Sequence, residues 1–151
     1  MGMKNLFEKD TYEEILARLH TLTPQSQRQW GKMNVSQMLA HCCAAFEVAQ
    51  GDRTRKRGFL GYLFGGMFKR KYVYENDIKR NAPTDPTFVI VDERDFQIER
   101  ARLIKHIERF YQGGPDNVAT SDHPFFGKMT SLEWAQLSYN HLNHHFKQFN
   151  A

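Results

Sequence analysis

"TSLEWAQLSYNHLNHHFKQF", residues 130–149, decides how this chain folds and where its chemistry lies. Thr130 and Glu133 have the spacing of a capping box, which predicts a helix starting there. At about 100° per residue, Trp134, Leu137, His141, His145 and Phe149 share one face, while Gln136, Asn140, Asn143 and Lys147 lie opposite. His141 and His145 therefore sit mid-stripe, one turn apart, with His144 at the stripe's edge. Two imidazoles at this spacing can reach a single ion. They can equally be core histidines bonded to Ser138, Tyr139 or water. A buried neutral imidazole needs both a donor and an acceptor satisfied, at about 1–3 kcal/mol per orphaned group.

Three further helices emerge from the same kind of signal. Thr11 with Glu14 predicts a capping box ahead of Tyr12, Ile15, Leu16 and Leu19. Asn34 with Gln37 predicts another, leading into Val35, Met38, Leu39, Cys42, Ala45, Phe46 and Ala49 and ending near Gly51. A segment spanning roughly 96–112 carries Phe96, Leu103, Ile104, Ile107, Phe110 and Tyr111, and stops at Gly113-Gly114-Pro115. No amphipathic helix can bury its own stripe. Four stripes in 151 residues suit an all-α fold, a four-helix bundle forming a single domain over 1–151.

The connection between the second and third of these helices, 52–95, is long, aromatic and basic. It contains "GFLGYLFGGMFKRKY" (58–72), expected to form a short helix or two closing over one end of the bundle. "TFVIVDE" (87–93) has brief β character, but a single strand finds no partner in this plan. Residues 53–80 hold nine Lys or Arg against Glu75 and Asp77, so +7 of charge is concentrated there while the whole chain carries +4. Such a patch points to nucleic acid, an anionic membrane or an acidic metabolite as partner, or to nothing more than a solvated connection. Apolar content of 40% and charged content of 25% exclude a disordered chain. The two cysteines, Cys42 and Cys43, are adjacent and make no disulfide framework. With no leader-like or spanning apolar run, the expected location is cytoplasmic. Cys42 belongs to its helix's stripe. Cys43 lies about 100° further round, and is expected to be less buried and a candidate reactive thiol.

His41, within "MLAHCCA" (38–44), is the remaining histidine that matters most. It flanks its helix's stripe, about 10 Å in from the Asn34 cap at ~1.5 Å per residue. The midpoint of His141 and His145 is about 9 Å in from Phe149 by the same rise. If the two helices are antiparallel, all three imidazoles share a level. Three histidines with a fourth position open is the pattern of catalytic zinc, and nickel, iron or manganese accept the same donors. His123, in the turn "HPFFG" (123–127), is a candidate outer contact if that turn folds back over the bundle. Tyr72, Tyr74 and Arg80 are candidate substrate contacts from their place in the basic connection, and His144 from its place beside the stripe. No phosphate loop, nucleophile elbow or dinucleotide fingerprint is present, and no acid–base residue stands out.

"WGKMNVSQMLAHC" (30–42) and "HPFFGKMTSLEWAQLSYNHLNHHFKQF" (123–149), with the four-helix plan, resemble the DinB/YfiT-like superfamily over nearly the whole chain. The likeness is greatest to its branch of bacterial proteins with an H-P-x-F-G-x-L/M-T…W signature. The resemblance implies a divalent metal, zinc or nickel foremost, held by His41, His141 and His145. It matches Gln148 to a glutamine that commonly follows the last ligand, whereas the usual arginine after that ligand is Phe146 here. It implies a homodimer and a small-molecule substrate. The chemistry implied is that of metal-dependent hydrolases or of transferases and isomerases that use low-molecular-weight thiols. Two other readings stand beside it: a bundle that binds nucleic acid or anionic membrane through 53–80, and a protein-interaction bundle with a vestigial metal site.

Overall fold

The capping box at Asn34 forms in full. Its side chain accepts from the Gln37 backbone N–H and its own N–H donates to Gln37 Oε1, both at 2.9 Å. It opens helix α2, Val35–Ala49, which ends where Gly51 adopts a φ of +80°. The computed structural model describes residues 2–151, and among them the chain is all-helical, with no strand. Besides α2 it contains α1 (Lys9–Thr21), α3 (Phe59–Lys69), α4 (Phe96–Gly113) and α5 (Ser131–Gln148). Asp95 caps α4 by accepting from Ile98 N–H at 2.9 Å, and Gly114, with a φ of +65°, ends it. Thr130 and Glu133 make the reciprocal pair that opens α5.

At α1 the prediction fails. The helix begins two residues before Thr11, with Glu8 at its cap. The reason is an upstream turn: Glu8 N–H donates to Asn5 O at 3.2 Å, and Asn5 Nδ2 reaches Glu8 Oε1 at 3.0 Å. That turn sets the entry before Thr11 can, so Thr11 is buried inside the first turns. Glu14 instead pairs with Lys4 and lies 3.5 Å from Arg18.

α2 packs against α4 and α5, and α1 against the same two helices. Ile15, Leu19, Met38, Leu39, Leu103, Ile107, Trp134, Leu142 and Phe146 lie fully buried between them. Each such side chain contributes roughly 1.5–3 kcal/mol of transfer free energy. α2 and α5 run antiparallel. Gln29 N–H donates to Gln148 O at 2.7 Å, tying the entry of α2 to the exit of α5.

Cys43 corrects a second expectation. It is as fully buried as Cys42, because its side of α2 faces α4, where its thiol lies 3.9 Å from Glu99 O. Burial pushes that thiol up to about 12, so it stays protonated and unreactive.

The connection is more ordered than a loop. It holds α3, a π-helical turn over Arg70–Tyr74 and a 3-10 turn over Pro86–Phe88. α3 does not close over the core with its aromatics inward. Gly61 and Gly65 face the 123–127 turn, and a Cβ on Gly61 would sit 2.8 Å from Phe125 O. Phe59, Tyr62, Leu63, Phe64 and Met67 point to solvent.

Asn34 is exposed, so replacing it removes little beyond the cap. Asn34→Ala is expected to lower stability by about 1 kcal/mol, read from urea unfolding midpoints at unchanged m-value.

Candidate metal centre

α2 contributes His41 and α5 contributes His141 and His145. One nitrogen from each lies within 4.8 Å of the other two. The ring centroids are 4.9 Å apart for His41–His141, 4.7 Å for His41–His145 and 4.6 Å for His141–His145. The helical phase explains this directly. Residues four apart on α5 present both rings to one face, and that face meets α2 at the depth of His41.

Hydrogen bonds assign the protons. His41 Nδ1 lies 2.7 Å from Phe88 O, and a carbonyl only accepts, so Nδ1 carries the hydrogen and Nε2 carries the lone pair. His145 Nδ1 lies 2.8 Å from Gln148 Oε1. That amide is fixed by its other end, where Nε2 donates to Trp30 O at 2.9 Å. His145 Nδ1 is therefore also the donor, leaving Nε2 as a free base. Gly31, with a φ of +83°, lets the backbone crowd this amide. A Cβ there would sit 2.6 Å from Gln148 Nε2.

His41 Nε2 and His141 Nε2 face each other at 3.0 Å. With the first an acceptor, either a proton on His141 or a cation between the rings must occupy that gap. Ligand nitrogens around a tetrahedral zinc lie roughly 3.3 Å apart, given Zn–N bonds of about 2.0–2.1 Å. The observed separations, 3.0 Å at one edge and at most 4.8 Å elsewhere, bracket that spacing. Burial lowers the pKa of all three rings, with neighbouring imidazoles adding to the effect at His141 and His145. They are neutral at pH 7, the state a metal requires. No carboxylate belongs to the cluster. The three residues can hold a divalent ion.

The family to which the chain belongs is decided by a match along its length. A family model described as "Protein of unknown function (DUF1569)" matches residues 4–151. The chain belongs to the DUF1569 family. No curated protein and no solved structure matches it.

Around the centre of this DUF1569 chain, the other candidate residues are placed unequally. Gln148 touches His145 directly. His144 meets His145 edge-on at 5.1 Å and Trp30 at 5.5 Å. With Trp30, Arg80 and Lys147 it lines a cavity of about 550 Å³, and the Arg80 guanidinium lies 4.3 Å over the Trp30 ring. His123 stacks on Phe126 at 4.3 Å, and its Nδ1 accepts from the Phe125 and Phe126 amides at 3.0 and 3.1 Å. Its lone pair is thus occupied, and burial with the nearby Arg57 charge holds its pKa down at about 3. It can offer an Nε2–H, but it is no base near neutrality. Tyr72 stands edge-on to Phe126, and its carbonyl accepts from Asn140 Nδ2 at 2.8 Å. Tyr74 is drawn away to Glu133 at the far end of α5.

Sequence reasoning missed the Phe88 and Trp30 carbonyls that orient the centre, and Asn140, which ties the π-helical turn beside His141. Main-chain acceptors leave no signature in side-chain patterns. The one available signal was Asp85-Pro86, a cap and first position for a short turn.

Gln148→Ala is expected to weaken zinc binding about 10–100-fold, measured by competition with a chromophoric chelator, because His145 loses its orienting acceptor. The buried imidazoles also predict a pH dependence for the metal-free protein. Unfolded histidine titrates near 6.5, whereas His123 titrates at about 3 and the clustered rings are lowered as well. The folded state binds fewer protons, so its stability is complete above about pH 6.5 and declines as pH falls toward about 3. Urea midpoints taken with chelator present should be flat from about pH 8 to 7 and fall below about 6.5.

Proposed function

We propose that this DUF1569 chain is a metal-dependent enzyme acting on a small molecule, built on a DinB-like four-helix bundle of α1, α2, α4 and α5. Its reaction is of hydrolase type, or of thiol S-transferase or isomerase type. One observation carries the reading: His41 and His145 are each oriented through Nδ1 so that a free Nε2 points at a shared gap with His141. The nitrogen that each ring turns inward faces the other rings, with His41 Nε2 and His141 Nε2 3.0 Å apart.

A zinc, nickel, iron or manganese ion held there supplies Lewis acidity, drawing water or a low-molecular-weight thiol toward its deprotonated form near neutral pH. The chain's own residues supply the rest. Phe88 O and Gln148 fix the tautomers of His41 and His145 and hold their rings in place. His141 is the least enclosed of the three, so the accessible side of the centre lies there. The cavity beside His144, which none of the three histidines lines, has a positive wall from Arg80 and Lys147 with the Trp30 ring as an apolar surface beside it. His123 Nε2–H is a neutral donor available for orienting a polar group.

Metal analysis of gently purified protein tests the proposal. About one divalent ion per chain is expected, with most of it lost in His141→Ala at an unchanged circular dichroism spectrum. Wild-type protein that is metal-free and cannot be reloaded with zinc, nickel, iron or manganese overturns it.

A further inference from the structure

α3 is amphipathic in the reverse sense. Its polar-free narrow side, Gly61 and Gly65, lies against the backbone of the 123–127 turn. Its wide side, facing solvent, is made of Phe59, Leu60, Tyr62, Leu63, Phe64 and Met67. These are between 43% and 74% exposed, and no polar side chain interrupts them. On a soluble surface a contiguous face of six large apolar residues is an interaction site.

The helix is firmly mounted in that orientation. Arg57 donates to Phe125 O at 3.3 Å and to Gly61 O at 2.8 Å, and its guanidinium lies 4.6 Å over the Tyr62 ring. At the other end, Lys69 donates to Lys128 O at 2.8 Å and lies 2.9 Å from Glu133. The apolar face is thus presented by fixed contacts, not by a loose segment.

Charge identifies the occupant. From Arg53 to Tyr74 there are seven Lys or Arg and no acidic residue, although Arg53, Arg55, Lys69 and Arg70 pair with Glu47, Asp85, Glu133 and Glu75. Lys56 before the helix and Arg70 and Lys71 after it bracket the apolar face, and neither Lys56 nor Lys71 has an acidic partner among the described residues. A second copy docked on this face would set Lys56 and Lys71 of each copy against one another, the Arg70 charge being already met by Glu75. Nucleic acid would satisfy the cations but leave the aliphatic centre of the face against phosphates. A membrane containing anionic lipid satisfies both: phosphates meet the flanking cations, and the six side chains enter the boundary between headgroups and acyl chains. Among the described residues no helix is long and apolar enough to cross a membrane, so α3 would lie in the surface plane.

We propose that α3 is an interfacial anchor that seats this protein on an anionic lipid surface. This does not depend on the metal centre. The test is flotation of the full chain with vesicles of equal parts phosphatidylglycerol and phosphatidylcholine, compared with pure phosphatidylcholine. Wild type is expected to float with the anionic vesicles and not with the neutral ones. The double variant Leu60→Glu/Leu63→Glu should lose about tenfold or more of that partitioning, and Lys56→Glu/Lys71→Glu should lose it in part. All four positions lie on the helix's solvent side or beyond its ends, and unchanged thermal melts verify that each variant folds. Failure to float with either vesicle overturns the proposal. So does a dimer in solution that Leu60→Glu/Leu63→Glu dissociates, or displacement from vesicles by equimolar duplex DNA.

Discussion

Three imidazoles enclosed between α2 and α5 set the terms for everything near them. Burial removes water from their nitrogens, so each nitrogen must find a partner in the protein or a ligand. Phe88 O and Gln148 Oε1 satisfy one side of His41 and of His145, and in doing so they decide which nitrogen is basic. The free electron pairs then converge. A neutral His141 with its hydrogen on Nε2 can donate across the 3.0 Å gap to His41 Nε2, while burial, which lowers the pKa of all three rings, disfavours any further proton that would charge one of them. The same three nitrogens can instead hold a divalent ion.

The parts of the chain that look least regular exist largely in relation to this cluster. The 3-10 turn at Pro86–Phe88, held by Asp85 accepting from Thr87 N–H at 2.9 Å, delivers one carbonyl to His41. The approach to α2 delivers Trp30 O to Gln148, and Gly31 makes the close passage possible. The π-helical turn after α3 is pinned by Asn140, one residue before His141, through the carbonyls of Tyr72 and Val73. A π-turn of this kind commonly accompanies a functional site. A connection of more than forty residues between two packed helices thus works as a set of supports.

How far all this was legible depends on which chemistry carries the information. Asn34 and Thr130 announce their helices because capping is a side-chain interaction at fixed spacing, and both boxes form. Thr11 has the same spacing but is overruled, since Asn5 and Glu8 organise a turn upstream and the helix starts from it at Glu8, with no side-chain cap. The histidines could be placed because phase on α5 is local and the depth of His41 follows from helical rise. The carbonyls of Phe88 and Trp30 could not, since any residue type presents the same acceptor. Cys43 was misjudged for a related reason. Angular offset from one stripe says nothing about a second helix packing on the flank, and α4 does so there. The short helix expected within 58–72 forms as α3, but which way its arc faces was not legible, because an apolar arc has the same period whether it faces a core or the solvent.

That last ambiguity has an energetic resolution in the structure itself. Gly61, Gly65 and Gly66 make α3 a poor helix former, since each glycine costs roughly 1 kcal/mol relative to alanine. If α3 served only to finish the core, turning Phe59, Leu63 and Phe64 inward would bury large apolar area and gain on the order of 1.5–3 kcal/mol per side chain. The structure does the opposite. Two glycines are placed where the 123–127 backbone leaves no room for a Cβ, and Arg57 and Lys69 hold both ends so that the apolar arc stays outward. The isolated chain forgoes that burial energy, which a surface docked on the arc would recover. An anionic lipid surface, as proposed, would meet Lys56 and Lys71 at the two ends of the arc.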